Sequence, residues 1–138
     1  MHKIWMLLIL SLMSSVINAT SQSREGSQVY LISPKDGQTV KSPIKLSFGL
    51  KGMTLAEAGI DIPFSGHHHL LINVDHLPDM NLPIPADERH IHFGKGQKTG
   101  MIDLKPGEYT LQLLFADYLH IPHDKPLISK KISIKVVE

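Results

Sequence analysis

Residues 104–109 (LKPGEY) and the run that follows them, residues 110–115 (TLQLLF), decide the predicted fold of this chain. A proline and a glycine form a turn, and apolar side chains then alternate from Tyr109 to Phe115, as in a half-buried strand. The pattern L-x-P-G-x-Y is typical of a tyrosine corner, in which a tyrosine hydrogen-bonds back to the backbone where the chain crosses between two sheets. The motif therefore predicts an immunoglobulin-like β-sandwich.

The rest of the chain repeats this organisation of short apolar or alternating runs between glycine and proline turns. We therefore predict an all-β, antiparallel sandwich of about seven short strands, with no internal repeats. A capping-box pattern, T-L-A-E at residues 54–57, predicts one helical turn. The predicted strands cover residues 29–32, 44–50, 68–74, 90–93, 99–104, 108–115 and 127–137.

The N-terminus predicts export. A short basic start precedes the apolar run IWMLLILSLM, and small residues follow as far as Ala19, the expected cleavage position. Residues 1–19 are therefore a predicted signal peptide, residues 20–27 a flexible tether and residues 28–138 the sandwich domain. We expect a periplasmic or secreted protein without a membrane span, because no later apolar run reaches spanning length.

Composition excludes several kinds of site. The chain has no cysteine, which rules out thiolate zinc sites, c-type haem attachment and cysteine nucleophiles. The 14 basic and 13 acidic side chains nearly balance, so nucleic acid is not an expected partner. Lys95 lies between two glycines, but no predicted helix follows it, so this is no phosphate-binding loop. No organic cofactor is indicated.

Histidine is the unusual residue, with nine in the chain. Alternate residues of a strand face opposite sides, so two predicted strands each carry an H-x-H pair on one face. His68, between the first pair, heads the face with Leu70, and whether it is a ligand or a packing residue stays open. The three pairs are His67 with His69, His90 with His92, and His120 with His123 in a predicted loop.

Imidazole nitrogens bind Cu²⁺ or Zn²⁺ at about 2 Å, and such sites take three or four ligands. We therefore predict a copper or zinc site drawn from these six histidines, with the most weight on His69, His92 and His123. One alternative is a structural histidine cluster in a non-catalytic interaction module of an envelope assembly. Another is a small metal-dependent enzyme, in which Glu88 or Asp117 would be the general base.

Four blocks of the sequence resemble, in this order, the bacterial family catalogued as domain of unknown function 4399. They are G-H-H-H-L-L-I, P-A-D-E-R-H-I-H-F-G-K-G-Q, L-x-P-G-x-Y-T-L-Q-L-L and H-I-P-H-D, beginning at Gly66, Pro85, Leu104 and His120. The resemblance implies an exported bacterial β-sandwich and no particular activity. The expected role is that of a non-enzymatic metal-binding domain for buffering, delivery or sensing. Its partner would be a metal ion or an envelope protein, and the oligomeric state stays open.

Overall fold

The computed structural model describes residues 20–138, which form nine strands and no helix. The predicted signal peptide, residues 1–19, lies outside the described residues. The all-β fold is confirmed, and there are nine strands instead of about seven because two short strands, Thr39–Lys41 and Thr54–Leu55, were not predicted from the sequence. The strands are β1 (Gln28–Ser33), β2 (Thr39–Lys41), β3 (Ile44–Lys51), β4 (Thr54–Leu55), β5 (Ser65–Ile72), β6 (His90–Phe93), β7 (Thr99–Ile102), β8 (Gly107–Ala116) and β9 (Ile132–Val137).

The strands form two sheets. The smaller sheet has the order β1-β3-β7, and the larger has the order β2-β9-β8-β5-β4, with β6 also paired to β5. Pairing is antiparallel except between β2 and β9 and between β4 and β5. The described residues include no helix able to span a bilayer.

The main core lies between the two sheets and follows from the alternation of apolar residues. In β3, for example, Ile44, Leu46 and Phe48 are buried while Lys45 is exposed. Phe48 packs against Phe93 of β6 at 4.9 Å between ring centroids. Because burial of apolar area is the main favourable term in folding, these inward faces hold the sandwich together. The other buried members of this core are Val29, Leu70, Ile72, Ile102, Leu111, Leu113, Phe115, Leu127, Ile134 and Val136.

The tyrosine corner forms as predicted. The hydroxyl of Tyr109 donates a hydrogen bond of 2.8 Å to the carbonyl of Lys105, four residues upstream. We expect Tyr109→Phe to lower the free energy of unfolding by about 1 kcal/mol, because one hydrogen bond to the backbone is lost. Urea unfolding checks this, with Tyr30→Phe as the control, since Tyr30 is an exposed tyrosine of β1. Equal losses in both variants would contradict the structural role of the corner.

Strand β5 is buried on both faces along its whole length. One face joins the main core, and the other packs under the loops between β5 and β6 and between β8 and β9. This second apolar cluster contains Leu71, Val74, Ile84, Leu114 and Ala116. Gly66 lies so close to β8 that an added Cβ would come within 2.1 Å of the Ala116 carbonyl oxygen. The loops thus cover the outer face of the larger sheet and bury both polar and apolar side chains there.

Three local predictions were wrong, the first being the start of the last strand, which was predicted at residue 127 and lies at Ile132. Residues 54–57 form no helical turn, because Thr54 and Leu55 instead pair with Ser65 and Gly66 as strand β4. The strand predicted at residues 68–74 begins earlier and ends at Ile72. Asn73 has a positive φ of 52°, which turns the chain out of the strand and carries Val74 to the second cluster.

Candidate metal site

Four histidines converge under the loops outside the larger sheet. His67 and His69 lie on one face of β5, His92 lies on β6, and His120 lies in the loop after β8. One potential ligand nitrogen from each lies within 4.8 Å of the other three. We call these four residues the histidine cluster. It unites members of all three predicted pairs.

Strand pairing brings three of the imidazoles together. His67 and His69 are two residues apart on β5, and their side chains therefore share a face. His92 stands directly opposite His69 in the antiparallel register of β5 and β6. The ring centroids of His67, His69 and His92 are 4.8 to 5.1 Å apart. The regular sheet thus positions these three imidazoles without any contribution from a loop.

The fourth imidazole comes from a loop. The His120 ring lies 5.0 Å from that of His67 and 4.6 Å from that of His92. Nδ1 of His120 and Nε2 of His67 are 3.1 Å apart, so one of them donates a hydrogen bond to the other. Two nitrogens bound to one tetrahedral ion at about 2 Å would be about 3.3 Å apart. This pair already has the spacing of two ligands on one ion.

Burial keeps the inner rings of the cluster neutral. Burial, followed by the neighbouring His92 and His120, lowers the pKa of His67 to about 4. Burial and the neighbouring histidines lower the pKa of His69 to about 2, and burial also lowers that of His92. A neutral imidazole has the free lone pair that a metal ion requires. The site therefore holds its inner ligands in the metal-binding form at neutral pH.

The donor set fits a borderline transition metal. His67 and His69 are almost fully buried, whereas His92 is exposed and offers a route to solvent. Nδ1 of His67 is buried and has no hydrogen-bond partner, so hydrogen bonding within the protein does not use all the ring nitrogens. Within residues 20–138, the cluster contains only imidazoles and no carboxylate. Such an all-nitrogen set suits Cu²⁺ or Zn²⁺ better than Mg²⁺ or Ca²⁺.

The structure places the other two predicted ligands elsewhere. The ring of His90 bonds through Nδ1 to Asp87 at 2.7 Å and stabilises the turn before β6. His123 is buried, stacks on Phe115 at 5.6 Å and donates from Nε2 to the carbonyl of Ser65. Neither residue belongs to the histidine cluster. His120 and not His123 therefore supplies the loop imidazole.

His68 is a packing residue of the main core. Its ring lies 4.9 Å from that of Phe48 and 5.2 Å from that of Phe115, on the face of β5 opposite the histidine cluster. Neither ring nitrogen has a hydrogen-bond partner, and burial lowers its pKa to about 4. His68 therefore points away from the ligands that flank it in sequence.

Two further residues position the imidazoles: Gly94 was not identified from the sequence, whereas Asp117 was predicted only as a candidate general base. Gly94 lies under the His92 ring, where an added Cβ would come within 2.2 Å of an imidazole carbon. Its position two residues after His92, on the same face of the chain, was the available signal. Asp117 is buried and accepts hydrogen bonds from the backbone N–H groups of Leu119 and Ile121, which flank His120. Asp117 thus shapes the loop and is outside the ligand group.

Gly94 gives a test of the His92 position. We expect Gly94→Ala to push the His92 ring away from the other imidazoles and to lower Cu²⁺ affinity about tenfold, the scale of a lost supporting contact. Competition with a chelator measures the affinity. Gly49→Ala is the control, because Gly49 lies in β3, outside the histidine cluster, and its added Cβ would likewise come within 2.2 Å of an aromatic ring, that of Tyr30. Unchanged affinity in Gly94→Ala would show that His92 does not need its present position.

The comparison with known families identifies the domain. The model of the family described as domain of unknown function (DUF4399) matches residues 46–137. The chain belongs to the DUF4399 family. The resemblance seen in the sequence is thereby confirmed, and the whole histidine cluster lies within the matched region of this DUF4399 domain.

Two further comparisons add no functional information. No curated protein matches this DUF4399 chain. A solved structure that does match is the X-ray structure of the endo-beta-1,4-mannanase from Thermotoga petrophila, with 19% sequence identity and a TM-score of 0.47. The match covers 83% of this chain and 20% of the mannanase chain. At that similarity it carries no argument about activity.

Proposed function

We propose that this DUF4399 domain is an exported protein that binds Cu²⁺ or Zn²⁺ through His67, His69, His92 and His120 and buffers, delivers or senses that ion. The observation that carries the proposal is the convergence of four imidazoles from three chain segments, with ligand atoms within 4.8 Å of one another. Nitrogen ligands of one ion lie within about 4 Å of one another, so shifts of less than about 1 Å would close the site.

The electrostatics of the cluster support binding near neutral pH. Metal ligation requires neutral imidazoles, and burial lowers the pKa of His67 and His69 well below 6.5. Affinity for nitrogen ligands rises along the first-row series to Cu²⁺, so copper is the stronger expected binder where both ions are present. The exposed His92 supports an exchangeable ion, as buffering or delivery requires, because solvent and a partner's ligand can reach that side of the cluster.

The cellular place of this role is part of the proposal. The predicted signal peptide of residues 1–19 supports the periplasm or the outside of the cell, where a cysteine-free domain suits oxidising conditions. A non-enzymatic role is proposed because Asp117, the candidate general base near the cluster, is buried and both of its oxygens already accept hydrogen bonds, from Ser21, Leu119 and Ile121.

Metal titration of the full chain tests the proposal, with one pair of histidines replaced in each of two variants. The first variant is His67→Ala/His69→Ala, and the matched control is His76→Ala/His90→Ala. We expect the parent and the control to bind one Cu²⁺ or Zn²⁺ per chain, with nitrogen ligation in the Cu²⁺ EPR spectrum, and the first variant to lose this binding. Equal binding by both variants, or no binding by the parent, would refute the proposal and favour a structural histidine cluster.

A further inference from the structure

The segment before β1 is hydrogen-bonded to the loop that carries His120. The hydroxyl of Ser21 donates to Oδ2 of Asp117 at 2.7 Å, and the carbonyl of Ser21 accepts from the N–H of Asp124 at 2.9 Å. Ser23 donates its N–H to the Asp124 carboxylate at 2.9 Å. Arg24 lies over the ring of Phe64 at 4.6 Å. Residues 21–24 are thus attached at both ends of the loop formed by residues 117–124.

Asp117 connects the segment of residues 21–24 to the backbone on both sides of His120. Its Oδ1 accepts from the N–H groups of Leu119 and Ile121 at 2.9 and 3.0 Å, so one carboxylate fixes both neighbours of His120. Asp117 is 4% exposed, and burying a carboxylate is costly unless hydrogen-bond donors such as these compensate it. Its other oxygen, Oδ2, has Ser21 as its partner. Loss of Ser21 would leave that oxygen without its donor inside the protein.

The loop of residues 117–124 holds His120 in an unfavourable backbone conformation, so the loss of a contact favours a change in that conformation. His120 has a φ of 65°, in the left-handed region that a side chain with a Cβ disfavours. Its carbonyl accepts from the N–H of Ile84 at 2.8 Å, and its own N–H donates to the carbonyl of Asp117 at 2.9 Å. The conformation therefore depends on hydrogen bonds from outside the residue, and those made by Asp117 form the centre of the set.

We propose that Ser21 and Asp117 are positioning residues for the loop ligand, so that the segment of residues 20–27 regulates metal affinity through His120. This inference rests on the proposed function and adds a regulatory element to the same site. With the segment in place the cluster has four imidazoles. When Ser21 leaves Asp117, the loop loosens and His120 withdraws, which leaves His67, His69 and His92 with an open coordination position and a more weakly held ion.

The test compares Ser21→Ala with Ser23→Ala in the full chain. Both variants remove one hydroxyl from the same segment, but the hydroxyl of Ser23 bonds to Asp124 and to the Lys125 carbonyl and does not contact Asp117. The first readout is amide hydrogen exchange at Leu119 and Ile121 in metal-free protein. The second is Cu²⁺ affinity with the EPR spectrum, compared with that of His120→Ala.

For Ser21→Ala we expect about tenfold faster exchange at both amides and about tenfold weaker Cu²⁺ binding, the scale of one hydrogen bond to a charged group. Its EPR spectrum should shift towards that of His120→Ala. Ser23→Ala should match the parent in affinity and exchange rates. Ser21→Thr, which keeps a hydroxyl at this position, should bind Cu²⁺ with the affinity of the parent.

The outcomes separate this inference from the proposed function. If the parent binds Cu²⁺ and both alanine variants keep the affinity and exchange rates of the parent, the inference is overturned while metal binding stands. If Ser21→Ala and Ser23→Ala weaken binding to the same extent, the effect is general to the segment and the role of Asp117 is refuted. If the parent binds no ion, the proposed function is refuted, and with it the regulation of metal affinity.

Discussion

Acidification from pH 6.5 to pH 4 is expected to lower the free energy of unfolding by several kcal/mol. The pKa values of His67 and His68 in the folded protein are lowered from 6.5 to about 4, mainly by burial. Between those pH values the unfolded chain binds protons that the folded chain excludes. Stability is therefore fully present above pH 6.5 and is lost as the pH falls towards 4. A shift of this size corresponds to about 3 kcal/mol for a single histidine.

Urea unfolding between pH 7.5 and pH 4.5 measures this loss, and His68→Leu assigns part of it. The His68 ring is buried against Phe48 and Phe115 with no hydrogen-bond partner for either nitrogen. An apolar side chain of similar volume should raise stability at pH 7.5 by about 1 to 3 kcal/mol and should reduce the loss between pH 7.5 and pH 4.5 by about 2.5 kcal/mol. Asp87 and Asp124 do not contribute to the loss between pH 7.5 and pH 4.5, because their pKa values are lowered from 3.8. Parallel pH profiles for parent and variant would contradict the assignment.

The second large effect separates ligands from packing histidines. We expect His69→Ala to lower Cu²⁺ affinity by at least about 100-fold, beyond the 10- to 100-fold that outer contacts of a metal site are worth. We expect His123→Ala to leave affinity within about threefold of the parent and to lower the free energy of unfolding by about 3 kcal/mol. The reason is that His123 is 1% exposed, stacks on Phe115 and bonds to the Ser65 carbonyl, so alanine leaves a cavity and an unpaired carbonyl.

Both variants are measured by chelator competition and by urea unfolding. Because His69 and His123 are both 1% exposed, both variants are expected to lose stability, and loss of affinity in His69→Ala alone supports a site formed by His67, His69, His92 and His120. A loss of affinity in His123→Ala as large as that in His69→Ala would contradict the separation. Thermal unfolding with and without Cu²⁺ adds a check, because only variants that bind the ion should be stabilised by it.

The fold could be predicted from the sequence because its main signals are local. Alternation in β3, β8 and β9 and the Pro-Gly turn before Tyr109 reflect the same physical requirement, apolar side chains on the inward face of a twisted sheet. β5 was harder to predict, because both of its faces are buried and alternation gives no clear boundary. The end of β5 depends on the backbone turn at Asn73, which the side-chain pattern does not reveal.

The candidate site was only partly predictable for a related reason. Strand alternation correctly places His67 and His69 on one face and His68 on the other, because that geometry needs no tertiary information. The choice between His120 and His123 depends on loop conformation, which Asp117 controls through contacts with Leu119, Ile121 and Ser21. Proline on both sides of His123 indicated a stiff loop but not the direction of its side chain.

The close approach of Gly66 to the Ala116 carbonyl has a consequence for how the chain folds. Residues 67–69 are polar on both faces of β5 and residues 70–72 are apolar on both, so side-chain polarity alone would tolerate a slipped pairing with β8. Any slip would bring a residue with a Cβ against the Ala116 oxygen, where only glycine fits. Gly66 therefore restricts the register of β5 against β8, and a bulkier residue there is expected to shift this pairing, so that His68 takes the place of its neighbours beneath the loops.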